Sequence, residues 1–113
     1  LSSALVSARA DLKRDPLAPV FDPAWLNAAG YAYLQRGQHD RAVALLRLLT
    51  EAQPQSANAF DSVSEALEAA GQRPEALAAA QHALSLLPAD STVPAAQRAS
   101  LEAGLTARVA RLK

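Results

Sequence analysis

The chain has 113 residues, half of them apolar, with 11 basic and 11 acidic residues and no cysteine. This length predicts a single domain over residues 1–113, and the apolar content is enough for a core, which argues against a disordered chain. The lack of cysteine excludes disulfides and thiolate metal sites or nucleophiles. No apolar run approaches the roughly 18 residues of a membrane span, so we expect no membrane-spanning helix. Because the chain starts at Leu1 rather than methionine, we interpret it as a piece of a longer protein.

The first predicted element is a leading helix, followed by a linker, over residues 1–22. Apolar side chains recur at helical spacing at Leu5, Ala8 and Leu12, which predicts a helix of about three turns. The prolines within residues 15–22 then favour a linker, because proline lacks a backbone donor and restricts the residue before it.

Residues 23–90 contain one 34-residue pattern written twice in register, as 23–56 and 57–90. The matched positions include a glycine in mid-repeat, an alanine where two helices touch, and a proline near the end. Glycine ends helices easily and proline cannot continue them, so the pattern predicts two helix-turn-helix units. The identical pairs are Ala32/Ala66, Gly37/Gly71, Gln38/Gln72, Ala42/Ala76, Ala44/Ala78 and Pro54/Pro88.

Each repeat is predicted to hold a helix A, a tight turn and a helix B. In the first repeat Asp22 is the expected N-cap, helix A runs from Pro23 to Arg36, Gly37 ends it, and Pro54 closes helix B. Because the turns are short, we expect the two helices of each pair to lie antiparallel. The second repeat follows the same plan, with Ser56 as N-cap, 57–70 as helix A, Gly71 as the stop, Pro74 at the start of helix B and Pro88 at its end.

Residues 91–113 are predicted to form a capping helix that ends near Leu112. Ser91 or Thr92 is the expected N-cap, with Pro94 in the first turn. Two repeats alone would leave bare apolar faces at both ends, so the flanking helices must cover them. The expected fold is all-α, an α-α superhelix of two helix-turn-helix units between a leading helix and a C-terminal capping helix. The apolar stripe of the capping helix is Leu101, Leu105, Val109 and Leu112.

The repeat resembles the tetratricopeptide repeat (TPR) family, whose unit has a similar length and a similar bulky, small, aromatic, alanine and proline pattern. Two positions depart from that pattern, since Ser64 replaces a glycine or alanine and Ala80 replaces a large residue. We therefore expect a slimmer helix B in the second repeat. The motif positions are Leu26, Gly30, Tyr33, Ala42, Leu46, Leu49 and Pro54 in the first copy, and Phe60, Ser64, Leu67, Ala76, Ala80, Ala83 and Pro88 in the second.

A narrower resemblance is carried by residues 26–31, which read LNAAGY, and residues 56–66, which read SANAFDSVSEA. These motifs are similar to those of a TPR subgroup at the C-terminus of bacterial serine hydrolases, either β-lactamase-like enzymes or α/β-hydrolase esterases. Phe60 in place of tyrosine and Gln55 in place of aspartate are departures from that subgroup. The resemblance implies a bacterial protein with an enzyme module upstream, and it leaves the compartment open between cytoplasmic and extracytoplasmic.

Charge is distributed unevenly along the chain. Residues 57–90 carry five acidic side chains against one arginine, a net charge of about −4, whereas residues 91–113 carry four basic side chains against one glutamate, about +3. A basic tail without interleaved aromatic residues is typical of a solvated helix face. We therefore expect no nucleic-acid partner.

The resemblance implies that one face of each helix A lines a groove that binds a partner. Side-chain amides can pair with a peptide backbone, and carboxylates favour basic residues, so the expected partner is a protein or peptide, with a basic segment favoured. Two alternatives stay open. In one, the carboxylates at i, i+4 and i+7 are solvated and bind no partner. In the other, Tyr31 packs inward against the leading helix. The expected groove residues are Asn27, Tyr31, Leu34, Gln35, Asn58, Asp61, Glu65 and Glu68.

Asp61, Ser62 and His82 are residue types of a hydrolytic triad, but their context argues against catalysis. Ser62 lies inside a predicted helix and lacks the strand-to-helix elbow that exposes a nucleophile. His39 and His82 have no carboxylate or histidine at i+3 or i+4, which argues against a metal site. We expect no catalytic residue, cofactor or metal.

The leading hypothesis is a non-catalytic protein interaction module. One alternative is an accessory or regulatory domain of a fused bacterial serine hydrolase. Another is a self-association module that uses the trailing helix.

Overall fold

The computed structural model describes residues 3–12 and 22–113, and over this part of the chain the protein is all-α, as expected. Residues 13–21, which include most of the predicted linker, lie outside the described residues. A short 3₁₀ turn, Leu87–Ala89, precedes the last helix. The α-helices are α1 (Ser3–Asp11), α2 (Pro23–Gln35), α3 (His39–Ala52), α4 (Ala57–Ala69), α5 (Arg73–Leu86) and α6 (Ala95–Leu112).

The predicted start and stop signals of the two repeats are confirmed. Asp22 caps α2 by accepting a hydrogen bond from the Trp25 amide at 3.4 Å, and the hydroxyl of Ser56 caps α4 by accepting one from the Ala59 amide at 3.2 Å. The glycines that follow α2 and α4 have positive φ angles of 75° and 78°, a conformation that glycine adopts at little steric cost. These local signals fix the ends of both A helices.

The start of α6 differs from the prediction of a Ser91 or Thr92 cap. The residue before the helix is Pro94, which makes no side-chain capping bond. Thr92 instead donates hydrogen bonds from its amide, at 2.9 Å, and from its hydroxyl, at 2.5 Å, to the Asp90 carboxylate. The prediction was wrong because the buried carboxylate of Asp90 engages the threonine and delays the start of the helix.

From α2 to α6, each helix packs mainly against its neighbours in the chain, with the closest association within the α2/α3 and α4/α5 pairs, whereas α1 packs mainly against α3. The α3/α4 and α5/α6 interfaces join these pairs to each other and to the last helix. The largest fully buried side chains of the core are Tyr33, Leu26, Leu45, Leu46, Leu67 and Leu105.

The leading helix α1 joins the core through Leu5 and Ala8, both buried. A polar contact holds its C-terminal end, since the Tyr33 hydroxyl donates to the Asp11 carboxylate at 2.7 Å. Arg41 of α3 reaches the same carboxylate at 2.6 Å. The leading helix is therefore attached to both helices of the first repeat.

The last helix covers α5, as its apolar stripe predicts. Leu105 is completely buried in a cluster with Ala80 and Ala83, and Leu112 is buried in the main core. The other two stripe positions are half-buried and pack on the clusters beneath α6. The small side chains of α5 thus face the large side chain of α6.

Gly30 lies at the contact between α2 and α3, where a side chain has no room. A Cβ at this position would lie 2.6 Å from Cγ and Cδ2 of Leu46, closer than real contacts allow. The equivalent position in the second repeat is Ser64, whose buried hydroxyl donates to the Ala76 carbonyl at 2.7 Å. The prediction of a close contact between helix A and helix B at Gly30 is confirmed.

Candidate functional site

An open cavity of ≈ 440 Å³ lies on one face of the protein, mainly between α2 and α4, and we call it the groove. It contains four of the residues that the sequence predicts for a binding surface, namely Asn27, Tyr31, Asn58 and Asp61. Its full lining is Pro23, Ala24, Asn27, Tyr31, Leu49, Gln53, Ser56, Asn58, Ala59, Asp61 and Ser62.

A chain of hydrogen bonds crosses the groove from α2 to α4 and back. The Tyr31 hydroxyl donates to the Ser62 hydroxyl at 3.4 Å, and Ser62 donates to Oδ1 of Asn27 at 2.8 Å. Ser62 is buried, so water competes little for these bonds. Because Oδ1 is occupied, Asn27 offers its Nδ2 group to the groove, and this group donates to no other residue within 3–12 and 22–113. Asn27 is thus oriented as a hydrogen-bond donor.

Tyr31 belongs to the groove, where its hydroxyl bonds to Ser62 of α4. Burial raises the pKa of its hydroxyl, and the nearby carboxylates of Glu65 and Asp61 raise the pKa further, against the lowering effect of the Ser62 hydrogen bond. The hydroxyl therefore stays protonated and donates to Ser62. Tyr33, two residues later, is the tyrosine that bonds to α1.

Four of the predicted groove residues do not line this cavity, namely Leu34 and Gln35 of α2 and Glu65 and Glu68 of α4. Leu34 is half-buried and packs against the main core, while Gln35 is exposed at the C-terminal end of α2. Neither contributes to the lining of the groove.

The predicted acidic face of α4 is in contact with arginines of α6. Arg108 donates from Nη1 to Oδ1 of Asp61 at 2.7 Å and lies 3.7 Å from the Glu65 carboxylate and 3.6 Å from that of Glu68. Arg111 binds Glu68 through two parallel hydrogen bonds of 2.8 and 2.9 Å. We call these five residues the charge cluster. The two arginines of α6 neutralise most of the negative charge of its carboxylates.

Arg108 lies deep in the charge cluster. Only 12% of its side chain is exposed, and it also donates to the backbone carbonyl of Asp61 at 3.2 Å. Its Nε atom is buried without a hydrogen bond, 3.6 Å from Glu68. This guanidinium is therefore a fixed positive charge at the edge of the groove.

The protonation of Glu68 follows from its paired arginine. The Arg111 hydrogen bonds lower the pKa of Glu68, partial burial opposes them, and the charges of Arg111, Arg108 and Arg73 lower the pKa further. The same pairing raises the pKa of Arg111. Both partners are charged over the whole range in which proteins usually work.

The buried carboxylate of Asp90 was missed by the sequence reasoning. It accepts a hydrogen bond from the amide of Ala57 at 2.7 Å in addition to the two bonds from Thr92. Burial alone would raise the pKa of Asp90, but these bonds and the charge of Arg98 lower it overall. Every bond of this carboxylate is structural, joining the start of α4 to the loop before α6.

The residue types of a hydrolytic triad are engaged elsewhere. The Ser62 hydroxyl is bonded to Asn27 and Tyr31, and His82 is exposed on α5 with its ring 4.4 Å from the ring of Phe60 in an edge-on arrangement. Among the described residues, no group of three or more histidine and acidic side chains is arranged to hold a metal ion. The arrangement of the groove suits recognition through hydrogen bonds.

In comparisons with known proteins, neither a family model nor a curated protein matches the chain. Over residues 3–12 and 22–113, none of the helices has the length and apolar character needed to cross a membrane.

Proposed function

We propose that the protein is a non-catalytic interaction module of the TPR type, which binds an extended segment of a protein or peptide in the groove between α2 and α4. The observation that carries this proposal is the open cavity of ≈ 440 Å³ with oriented polar groups on both helices. A cavity of this size with a few fixed polar groups is typical of a binding site.

The polar groups of the groove match the backbone of an extended segment. Asn27 presents donors, because its carbonyl oxygen is held by Ser62, and the exposed amide of Asn58 offers both a donor and an acceptor. Pro23, Ala24 and Leu49 supply apolar surface beside them. A segment bound here would donate to Asn58, accept from Asn27 and cover the apolar surface.

The helical architecture supports a TPR assignment without testing it. Two antiparallel helix pairs follow each other in the 34-residue register, and their A helices, α2 and α4, flank the groove. Fusion to a serine hydrolase stays a prediction from the motif resemblance. In such a fusion, tethering raises the effective concentration of a segment of the enzyme at the groove, so a weak intrinsic affinity would suffice.

The experiment is an NMR titration of the labelled protein with pools of extended peptides. We expect the largest shift changes at the groove residues Asn27, Tyr31 and Asn58, and a loss of most binding in Asn58→Ala. Gln81→Ala, which removes an exposed amide from α5, is the matched control and should bind like the wild type. Shifts confined to the outer faces of α3 and α5, or equal binding losses in both variants, would contradict the proposal.

A further inference from the structure

We propose that Arg108 and Arg111 determine the charge selectivity of the groove, so that it accepts an uncharged segment and shows no preference for a basic one. This inference rests on the proposed function, because selectivity has meaning only if the groove binds a segment. It also replaces the expectation of a basic partner, which considered the three carboxylates of α4 without their arginines.

Residues of α4 and α6 together set the charge at the edge of the groove. Asp61 lines the groove, and Glu65 and Glu68 continue the same face of α4 over the next two turns. Alone they would attract lysine or arginine. With Arg108 and Arg111 among them, three negative charges face two positive charges at distances of 2.7 to 3.7 Å. Little charge is left to attract a basic segment.

The packing of α6 holds the two arginines near these carboxylates. Helix α6 is held by the buried side chains of Leu105 and Leu112, and Arg73 of α5 donates to the carbonyls of Leu112 at 3.2 Å and Arg111 at 2.7 Å. An incoming lysine would form only partly exposed ion pairs, which contribute little to affinity. Such pairs cannot compensate for the exposure of the two leucines on release of α6, so α6 keeps its arginines beside the carboxylates of α4.

The two arginines differ in how much of each side chain is exposed to solvent. Arg108 is largely buried, whereas 56% of the Arg111 side chain is exposed. Arg111 can therefore be replaced without opening the core, and its removal leaves Glu68 without its two short hydrogen bonds. Arg111→Gln is the variant that exposes negative charge on a folded protein.

The main experiment compares two capped octapeptides, one alternating serine with lysine and the other alternating serine with glutamine. The wild type should bind the lysine peptide no more tightly than the glutamine peptide. Arg111→Gln should prefer the lysine peptide by about two- to fivefold, the range expected for one exposed ion pair. High salt should remove this preference, because the new interaction is between exposed charges.

Two further variants separate selectivity from structure. Arg47→Gln removes an exposed arginine from α3, outside the charge cluster, and should keep the wild-type selectivity. Glu68→Gln combined with Arg111→Gln removes both partners of one pair and should restore the wild-type selectivity. A preference for the lysine peptide in the wild type, or none in Arg111→Gln at low salt, would overturn the inference.

A probe that needs no peptide distinguishes this inference from the proposed function. Mn²⁺ collects at exposed carboxylates and broadens nearby NMR signals, so it should broaden the signals around Glu65 and Glu68 more strongly in Arg111→Gln than in the wild type. If this occurs while no peptide shifts any groove residue, the neutralisation stands and the binding function fails. Equal broadening in both proteins would refute the neutralisation itself.

Discussion

The two repeats differ in the side chains that meet at the contact between helix A and helix B. In the first repeat, Gly30 of α2 leaves space that Leu46 of α3 fills, and in the second the equivalent positions are Ser64 and Ala80. The comparison shows that a larger residue on helix A goes with a smaller one on helix B, although the pair in the second repeat has the smaller combined volume.

The small side chains of α5 in the second repeat also affect how α6 packs. With Ala80 and Ala83 on its outer side, α5 is slim enough for Leu105 of α6 to be completely buried against it.

The groove faces differ in a related way. Asn27 of the first repeat is bonded by a short serine of α4, whereas Asp61 at the equivalent position is reached by a long arginine of α6.

Removal of α6 should break the second repeat and cause the largest effect. A protein that ends before Pro94 would expose Ala80, Ala83 and Leu84 and lose the anchor of Arg73, so we expect aggregation or early melting. Circular dichroism melts with light scattering would measure this. A shortened protein that stayed monomeric and melted at the wild-type temperature would contradict the role of α6.

A double-mutant cycle would sharpen the comparison of volumes. Leu46→Ala should cost about 2 to 5 kcal/mol through the cavity it leaves, and Gly30→Ser about 1 to 3 kcal/mol through overpacking. Because the double variant copies the second repeat, we expect it to cost less than the sum by about 0.5 to 3 kcal/mol, measured by denaturant unfolding. Gly104→Ser is the control, since its Cβ meets no atom within 4 Å, and it should be additive with Leu46→Ala. Additivity at Gly30 as well would disprove the compensation.

Removal of the Ser62 hydroxyl tests the bond that joins the two A helices. Ser62→Ala should cost about 1 kcal/mol and free the carbonyl of Asn27, so the side-chain amide signals of Asn27 should shift. Ser85→Ala removes an exposed hydroxyl that donates to its own helix and is the matched control. Unchanged Asn27 amide signals in Ser62→Ala would mean that the serine does not orient the amide.

The smallest expected effect is the pH dependence that comes from Glu68. Its pKa in the folded protein lies below the ordinary value of 4.5, so its contribution to stability is complete above about pH 4.5 and is lost as the pH falls through the lower, folded value. Glu68→Gln lacks this contribution. The difference in unfolding free energy between the wild type and Glu68→Gln should therefore shrink on acidification through this window. A constant difference would show that the ion pair does not stabilise the folded state.

Most of the fold was predictable because the residues that start and end the helices lie close to the helix ends in the sequence. Asp22, Ser56 and the two turn glycines act within a few residues of their own positions, so the sequence shows their effects directly. The residues of the groove between α2 and α4 were predictable in part, since the 34-residue register places Asn27 and Asp61 at equivalent positions. The packed, all-α order of elements followed from the repeat.

The missed features depend on contacts between distant parts of the chain. Arg108 lies 47 residues after Asp61, and Ala57 lies 33 residues before Asp90, so neither bond has a local signature. A signal for the first was present in the opposite net charges of residues 57–90 and 91–113. Those two segments must pack together if the trailing helix covers the second repeat. Their charges were considered separately, and the pairing was therefore not predicted.

The two turn glycines offer positions for a residue of opposite chirality. Gly37 and Gly71 have φ angles of 75° and 78°, and a Cβ at either position would meet no atom within 4 Å. Positive φ is the ordinary conformation of a D-amino acid, so D-alanine fits the folded backbone and also reduces the freedom of the unfolded chain. In a protein assembled by chemical ligation, each such replacement should raise stability by about 0.4 to 1 kcal/mol. The same turns would be strained by L-alanine, so each of these turns favours one mirror form of the residue over the other.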